Sequence, residues 1–215
     1  SSCLMSTADN GGAVYVAGNN TINEKTLFDK NNATKSGGAI YISGDFTQII
    51  DSNFTMDIAL NGDGGAIYIG GENTTISGAT SVMTQAVKGQ GGGIYINGIN
   101  TVVKDSNLMR STAAKEGGSI YIQGQNAKIL DTNISMTTSY TSGGAVYIKE
   151  DNALISGSHF SLNNATVSGG AVYIYGRNAI VENSTFNLTS AKKSSSFDAS
   201  NLGGAIFIKG DYATI

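Results

Sequence analysis

The sequence contains no proline and no tryptophan, and it has one cysteine and one histidine. A single cysteine cannot form an intramolecular disulfide, nor can it supply a cysteine-rich zinc or iron–sulfur site. The 13 Lys and Arg residues are outnumbered by 16 Asp and Glu residues, so no basic excess neutralises nucleic-acid phosphates. No apolar run approaches the length of about 18 residues that a membrane span needs. We therefore expect no nucleic-acid partner and no direct membrane insertion by this segment.

Glycine, in contrast, is abundant at 29 residues, and a hydrophobic content of 40% argues against simple disorder. A hexapeptide recurs eight times, as two glycines, a small residue and an aliphatic–aromatic–aliphatic triplet, starting at positions 11, 37, 64, 91, 117, 143, 169 and 203. The intervals between copies are 26, 27, 27, 26, 26, 26 and 34 residues. Such a period indicates one structural unit repeated along the chain.

Each unit has the pattern of short strands separated by turns. Ile40 and Ile42 are two residues apart, as expected for side chains on one face of a strand. A second strand carries Ile49 and ends at a column of residues that tolerate left-handed backbone angles, which predicts a corner: Asp51, Gly78, Asp105, Asp131, Gly157 and Asn183. A third strand carries Phe54, Leu108, Ile134, Phe160 and Phe186, often with Met or Leu two residues later, as at Met56, Met136, Leu162 and Leu188.

Three short strands cannot bury their apolar faces within one unit, but stacked units share a continuous core. The sequence therefore predicts an all-β fold, a single-stranded right-handed parallel β-helix of about eight coils of 26–27 residues. We assign residues 1–215 to this one repeat domain and expect it to be a segment of a longer repeat protein.

The residue between the two inward aliphatics is predicted to face outward, in one row along the rod. This row is the candidate partner-binding site: Tyr15, Tyr41, Tyr68, Tyr95, Tyr121, Tyr147, Tyr173 and Phe207. The small residues on its glycine side are predicted to face outward too: Ala13, Ala39, Ala66, Gly93, Ser119, Ala145, Ala171 and Ala205. Stacked rings stabilise a sheet by about 0.2–1 kcal/mol per cross-strand pair, so the row also has a purely structural interpretation.

A column of asparagines occupies the turn after the tyrosine strand: Asn20, Asn73, Asn100, Asn126, Asn152 and Asn178. Stacked amides can hydrogen-bond along the rod and to the backbone of a buried turn, so we interpret this column as architecture. Phe46 and Tyr212 interrupt it, and some other contact must replace the amide there.

Parallel β-helices also carry pectinase-type enzymes that use acidic residues on one face. Asp105 and Asp131 occupy one column in adjacent coils, where paired carboxylates could act as acid and base. The same column contains Gly78, Gly157 and Asn183, which favours a role in chain geometry over catalysis. We therefore predict a protein that is not an enzyme and has no catalytic residues.

The only histidine, His159, precedes Phe160 on the outward side of the third strand. No second histidine or acidic neighbour lies at ligand spacing, so an incidental surface histidine is favoured over a metal ligand. The chain also lacks the Asp-and-Gly nonapeptides that bind calcium. We predict neither a metal ion nor a cofactor.

Eight Asn-x-Ser/Thr sequons are present, at Asn19, Asn32, Asn53, Asn73, Asn133, Asn164, Asn183 and Asn187. In an exported protein of an organism that N-glycosylates, those on turns could carry glycans. We expect Asn32 and Asn164 to be the best candidates, because each precedes a glycine pair in a predicted exposed corner.

The last interval is eight residues longer than its neighbours, around Lys192–Asp198. Insertions in a solenoid form loops on one face, which is frequently the binding face, and a tolerated surface loop is the simpler interpretation.

SGGAVYI at 168–174, NSTF at 183–186 and NNAT at 31–34 and 163–166 resemble the repeats of adhesin-like surface proteins of methanogenic archaea. They are similar more distantly to the polymorphic outer-membrane proteins of chlamydiae. The repeats of those proteins have two sequence motifs, Gly-Gly-Ala followed by an aliphatic residue, and Phe-x-x-Asn. The second motif is intact at Phe28–Asn31 and Phe160–Asn163, whereas Phe54 is followed by Asp57 and Phe186 by Thr189. The resemblance covers the whole chain and implies a β-helical stalk on a cell surface.

We therefore expect a non-enzymatic, extracellular, cell-surface protein, adhesin-like or structural in the envelope. Its stalk would make multivalent contacts with carbohydrate or protein on a host or neighbouring cell. Two alternatives remain open at the level of sequence. One is a polysaccharide-degrading enzyme of pectinase-like type, and the other is a filament subunit that self-associates end to end through open β-helix ends.

Overall fold

The computed structural model describes residues 1–192 and 202–215. Within these residues all regular structure is β, and each strand pairs in parallel with the equivalent strand one coil away. The strands form four sheets that run along the rod, three with eight strands and one with seven. The predicted parallel β-helix is confirmed, with about seven turns. The expected loop at Lys193–Asp198 lies outside the described residues.

Sheet 1 corresponds to the third strand predicted for each unit. Its strands are Ser2–Leu4, Leu27–Asp29, Asn53–Thr55, Thr80–Val82, Asn107–Met109, Asn133–Ser135, His159–Ser161 and Thr185–Asn187. The next strand along the chain enters sheet 2, which consists of Thr7–Ala8, Asn32–Ala33, Ile58–Ala59, Gln85–Ala86, Thr112–Ala113, Thr138–Ser139, Asn164–Ala165 and Ser190–Ala191.

The prediction of three strands per unit is therefore wrong, because sheet 2 is a fourth. Its strands are two residues long and the six inner ones bury only one side chain each, which is too few for a period-two pattern. The signal that marks them is a column of small residues one unit apart, of which Ala33, Ala59, Ala86, Ala113, Ser139 and Ala165 are fully buried.

Sheets 3 and 4 correspond to the first and second predicted strands. Sheet 3 consists of Val14–Val16, Ile40–Ile42, Ile67–Ile69, Ile94–Ile96, Ile120–Ile122, Val146–Ile148, Val172–Ile174 and Ile206–Ile208. Sheet 4 consists of Ile22–Glu24, Gln48–Ile50, Thr75–Ser77, Val102–Lys104, Lys128–Leu130, Leu154–Ser156 and Ile180–Glu182. Isolated bridges, Ser168 to Leu202 and Ile180 to Thr214, extend the pairing in the last coil.

The core is a set of vertical columns of like side chains. Tyr68 pairs with Tyr41 and Tyr95 in register, so residues 26 or 27 apart become neighbours. The inward aliphatics of sheets 3 and 4 are almost completely buried, as at Ile42 and Ile49. In sheet 1, Phe28 stacks on Phe54 with ring centroids 4.9 Å apart. Burial of these columns supplies the apolar free energy that one unit alone cannot provide.

Four left-handed corners turn each coil. Between sheets 4 and 1 the predicted corner column is confirmed, with φ from 46° at Asp131 to 65° at Gly78. Met56, Met136, Leu162 and Leu188, which we placed in the third strand, instead make the corner between sheets 1 and 2, so this assignment is wrong. They have positive φ, as do the other members of their column, Met5, Lys30, Met83 and Arg110. A left-handed non-glycine residue costs roughly 1–2 kcal/mol. The cost is offset because each such N–H can reach the next coil, as Met56 N donates to Val82 O.

The glycine pair makes the corner between sheets 2 and 3. The first glycine has positive φ, for example 69° at Gly117. The second is required for a different reason, because a Cβ on Gly118 would collide with the carbonyl oxygen of Gly144 in the next coil. In each pair, the first glycine is therefore needed for its positive φ, and the second is needed because the backbone of the next coil lies too close for a Cβ.

We predict that Gly118→Ala destabilises the protein by about 2 kcal/mol or more, because the neighbouring backbone cannot shift without breaking the stack. Gly204→Ala is the matched control, since the same position in the last described coil has nothing within 4 Å of the added Cβ. Urea unfolding of both variants measures the difference. Equal stabilities would show that close approach does not explain the second glycine.

Candidate partner-binding surface

The predicted tyrosine row exists and is a continuous stack. Six successive tyrosine pairs, from Tyr15–Tyr41 to Tyr147–Tyr173, have ring centroids 4.5–5.2 Å apart and interplanar angles of 3–11°. Phe207 ends the row, tilted by 33° to Tyr173. Sheet 3 produces this stack because its pleat turns every middle side chain away from the core, and the parallel register places them one above another.

The row faces away from the core along the rod, as predicted, but its side chains are covered in the middle. Tyr15 is 55% exposed, whereas Tyr95 and Tyr121 are 6% and 3% exposed. Polar side chains cover these two: the Tyr95 hydroxyl donates to Gln123 Oε1 at 3.1 Å, and Gln90 Nε2 donates to Glu116 Oε2 at 2.8 Å beside Tyr121. The accessible part of the row is therefore its two flanks, Tyr15, Tyr41 and Tyr68 on one side and Tyr147, Tyr173 and Phe207 on the other.

The tyrosine hydroxyls are neutral donors. Burial raises the pKa of Tyr68 and of Tyr121 to about 12, and it raises the pKa of Tyr95 and Tyr147 further. Nearby acidic side chains act in the same direction, Asp63 on Tyr68 and Glu116 on Tyr121. These four hydroxyl groups therefore stay uncharged near neutral pH.

The geometry limits how this row can contact a ligand. Each ring covers the face of the next at stacking distance, so within the row the faces that pack against sugar rings are already occupied. Ring edges and hydroxyl groups remain available on the flanks. A partner would have to be recognised by hydrogen bonds and edge contacts.

The small column beside the tyrosines is not part of this surface. Ala39, Ala66, Ala145 and Ala171 are completely buried, and so is Ser119, which contradicts the prediction that they face outward. The cause is a local break in alternation: the N–H groups of Ala39 and Ile40 both donate to Ala66 O, at 2.9 and 3.0 Å. Two consecutive residues then face one partner, as in a β-bulge, and both side chains turn inward.

The asparagine ladder is confirmed from Asn73 to Asn178. The Nδ2 of Asn100, Asn126, Asn152 and Asn178 donates to the Oδ1 of the asparagine one coil before, at 3.0–3.1 Å. These amides bond to one another on the exposed side, not to a buried turn backbone as we expected. Their φ values of 54–64° explain the residue type, because asparagine tolerates the left-handed region. Phe46, with φ 55°, leaves Asn20 and Asn73 unconnected.

The Phe-x-x-Asn motif has a clear structural basis. Phe28 points into the core from sheet 1, a left-handed residue follows two positions later, and Asn31 then turns back inside, fully buried. Asn31 Nδ2 donates to Cys3 O at 3.1 Å, and in the second intact copy Asn163 Nδ2 donates to Ile134 O at 3.0 Å. The asparagine thus satisfies a backbone carbonyl of the preceding coil at the turn.

Asp57 replaces the asparagine in the next coil, and it is a buried carboxyl that sequence reasoning did not single out. Its Oδ1 accepts from both N and Nδ2 of Asn31 at 2.9 Å, while Oδ2 has no partner among the described residues. Burial raises the pKa of Asp57 to about 7, against the Asn31 hydrogen bonds, which lower it. Protonated, Oδ2 would become a donor like the amide nitrogen of Asn31.

The two favoured glycosylation candidates do not lie in an exposed corner, so that premise is wrong. Asn32 and Asn164 are half-buried in sheet 2, where Asn32 pairs between Thr7 and Ile58, and Asn164 between Thr138 and Ser190. Sequon asparagines that are exposed are Asn19, Asn53, Asn133, Asn183 and Asn187. Their modification remains a prediction.

The remaining candidates lie apart from any enclosed site. Asp105 and Asp131 are exposed at the left-handed corner between sheets 4 and 1. His159 is exposed on sheet 1, and its Nδ1 lies 2.6 Å from Thr185 Oγ1. Across residues 1–192 and 202–215, no group of three or more His, Cys, Asp or Glu side chains could hold a metal ion.

Residues 25–43 match the model of the Chlamydia polymorphic membrane protein repeat. The match runs from the corner residue Lys25 past the sheet 3 strand Ile40–Ile42, and it includes Phe28, Asn31 and a glycine pair. No curated protein and no solved structure matches the chain. The chlamydial part of the resemblance is thus supported over one coil, and the archaeal part stays a prediction. In the part of the chain that the structure describes, no helix could cross a membrane.

We predict that Asp57→Asn removes a pH dependence of stability. Because the folded pKa lies above the unfolded value of 3.8, the contribution of Asp57 to stability should be fully present below pH 4 and be lost as the pH rises through about 7. A shift of this size corresponds to roughly 4 kcal/mol at most. The free energy of unfolding of the variant should exceed that of the native protein by the largest amount at pH 8. Urea unfolding of both proteins between pH 4 and pH 8 measures this difference.

Asp151→Asn is the control of opposite sign. The Asp151 carboxylate accepts from the Arg177 side chain and backbone, which hold its pKa below the usual range. Loss of that carboxylate should therefore cost stability at neutral pH and not at low pH. If the difference in free energy of unfolding between the native protein and Asp57→Asn does not change with pH, the interpretation of Asp57 as a buried carboxyl group with a raised pKa is wrong.

Proposed function

We propose that this chain is a β-helical stalk of a surface-displayed, adhesin-like protein, and that it carries out no catalysis. The observation that carries the proposal is the combination of a Chlamydia polymorphic membrane protein repeat in one coil with the same backbone pairing in the coils around it. A repeat of this kind in a solenoid fits a passenger domain held outside a cell.

The rod suits contact by repetition. Its coils present equivalent side chains at strand spacing on a backbone fixed by four sheets, so a partner with repeated groups can engage several coils at once. Weak individual contacts then add up to a useful avidity without a deep pocket. We propose carbohydrate or protein on a host or neighbouring cell as that partner, outside the cell that displays the stalk.

The contact groups we propose are the accessible flanks of the tyrosine row. Tyr15, Tyr41 and Tyr173 retain accessible ring edges, and the same row is bordered by hydrogen-bonding groups, Asp63 near Tyr68 and Glu116 near Tyr121. Such a border favours hydroxyl-rich, uncharged ligands. The exposed positions of Asp105 and Asp131 give no water-excluded cleft in which a glycosidic bond would be protonated, which supports a binding role over a pectinase-like one.

We predict that the triple variant Tyr15→Phe, Tyr41→Phe, Tyr173→Phe keeps the ring stack but binds cells at least about tenfold more weakly, because each lost hydroxyl contact costs about 0.5–1.5 kcal/mol. Flow cytometry with labelled protein and a polysaccharide panel measure the effect. The double variant Tyr95→Phe, Tyr121→Phe is the control, since those hydroxyls are covered. Unchanged binding by the triple variant, or equal loss in the control, would reject the row as the contact surface.

A further inference from the structure

The surface departs from the repeat at Phe46. This side chain is 53% exposed and its backbone is left-handed with φ 55°, at a position where most coils have asparagine. A bulky aromatic residue is unfavourable there, and it costs the two ladder hydrogen bonds that an asparagine would form. Nothing in the coil requires this residue, so its cost points to a contact outside the coil.

Phe46 lies at the corner between sheets 3 and 4, next to two aliphatic residues on the outer face of sheet 4. Ile22, 61% exposed, projects outward one coil before, beside Gln48, and Ile50 projects from the other end of the strand that follows Phe46. Acidic residues predominate at both ends of this face: Asp45 and Glu72 at the corner of Phe46, and Glu24 and Asp51 where sheet 4 ends, with Lys25 paired to Glu24 at 2.9 Å. We call the three apolar residues the phenylalanine patch.

A second apolar group lies at the diagonally opposite corner, between sheets 1 and 2. Met83 and Leu60 are 42% and 40% exposed, and half-buried neighbours join them across two coils. The group consists of Met56, Ile58, Leu60, Val82, Met83 and Val87. We call it the methionine patch.

The border of the methionine patch has more cationic than acidic residues. In the corner column, Lys30 lies one coil before Met56 and Arg110 one coil after Met83, while Lys88 and Lys115 follow along the outer edge of sheet 2. Lys30 has Asp29 at 3.9 Å, and Asp63 and Glu116 lie near Lys115, whereas Lys88, Arg110 and Lys115 form no ion pair within residues 1–192 and 202–215. The two patches are therefore alike in having an apolar centre and opposite in the net charge of their borders.

The fold does not demand the apolar residues of the methionine patch. The corner column that contains Met83 accepts Lys30 and Arg110 elsewhere, and the column of Leu60 accepts Thr34 and Thr166. Coils that use these polar residues form the same backbone pairing. The apolar choice in the middle coils is thus free to serve recognition.

We propose that the phenylalanine patch of one copy of this chain binds the methionine patch of a second copy. Apolar centres would be buried against each other while the acidic border faces the cationic one. Because the patches occupy opposite corners of the coil, each copy can bind two neighbours side by side. Such a heterologous contact produces lateral arrays of stalks. It involves neither the tyrosine row nor the ends of the rod, and goes beyond the stalk function proposed above.

The test uses variants whose new residues already occur in the same columns. Phe46→Asn supplies the missing rung of the asparagine ladder, so thermal stability should be unchanged or higher. Leu60→Thr with Met83→Lys introduces residues that Thr34 and Lys30 show to be compatible. Leu162→Lys is the matched control, an exposed member of the Met83 column two coils beyond Arg110.

Sedimentation equilibrium at low salt should show a weight-average mass that rises with concentration for the native chain and for the Leu162→Lys control. Phe46→Asn and the double variant should each weaken association at least about tenfold, and high salt should weaken it in the native chain. A mixture of the two variants should form a 1:1 complex and nothing larger, because each retains one intact patch.

Three results would overturn the proposal. The first is a native chain that stays monomeric at about 1 mM, the range of the weakest specific complexes. The second is a mixture of the two variants that forms no complex. The third is a native chain that stays monomeric but binds phosphatidylserine vesicles, with the vesicle binding lost in the single variant Leu60→Thr. That result would assign the methionine patch to an anionic lipid surface.

Discussion

The structure depends on one constraint, the in-register parallel stacking of backbones whose corners approach each other without intervening side chains. Gly118 leaves no room for a Cβ beneath Gly144, and left-handed corner residues such as Met56 donate their N–H to the coil that follows. A slip of one residue would turn every core column outward and break these contacts together. The period of 26 or 27 residues is therefore fixed by geometry at the corners as much as by apolar burial.

Because inward columns and corners are constrained, recognition is left to the outward columns. Within them the chain varies: the tyrosine row is open at its flanks and covered by Gln90, Glu116 and Gln123 in the middle. For the same reason, a residue that departs from the repeat at a constrained position indicates a role beyond folding. Phe46 at an asparagine corner and Asp57 at an interior asparagine position both oppose what the local fold favours.

The corner between sheets 1 and 2 shows how an apparent strand residue can have another role. Methionine and leucine follow the inward phenylalanine by two positions, which reads as continued alternation, yet they have positive φ and largely exposed side chains. The alternation stops because the chain turns there, and the next residue, such as Asn31, returns to the interior. No pattern in a single coil distinguishes a turn at that point from one more strand residue.

The sequence by itself determined the period, the parallel stack, the inward aliphatics, the tyrosine row and the asparagine ladder, since each repeats as a column and columns reveal vertical neighbours. Only the tertiary structure decided which outward residues are accessible, that Ala39 turns inside, and that a fourth sheet exists. Accessibility depends on side chains from adjacent coils, and a bulge or a two-residue strand leaves too short a pattern to detect. The phenylalanine patch and the methionine patch, which are only ten residues apart in sequence at Phe46 and Met56, likewise become separate surfaces only when each coil is wrapped around the core.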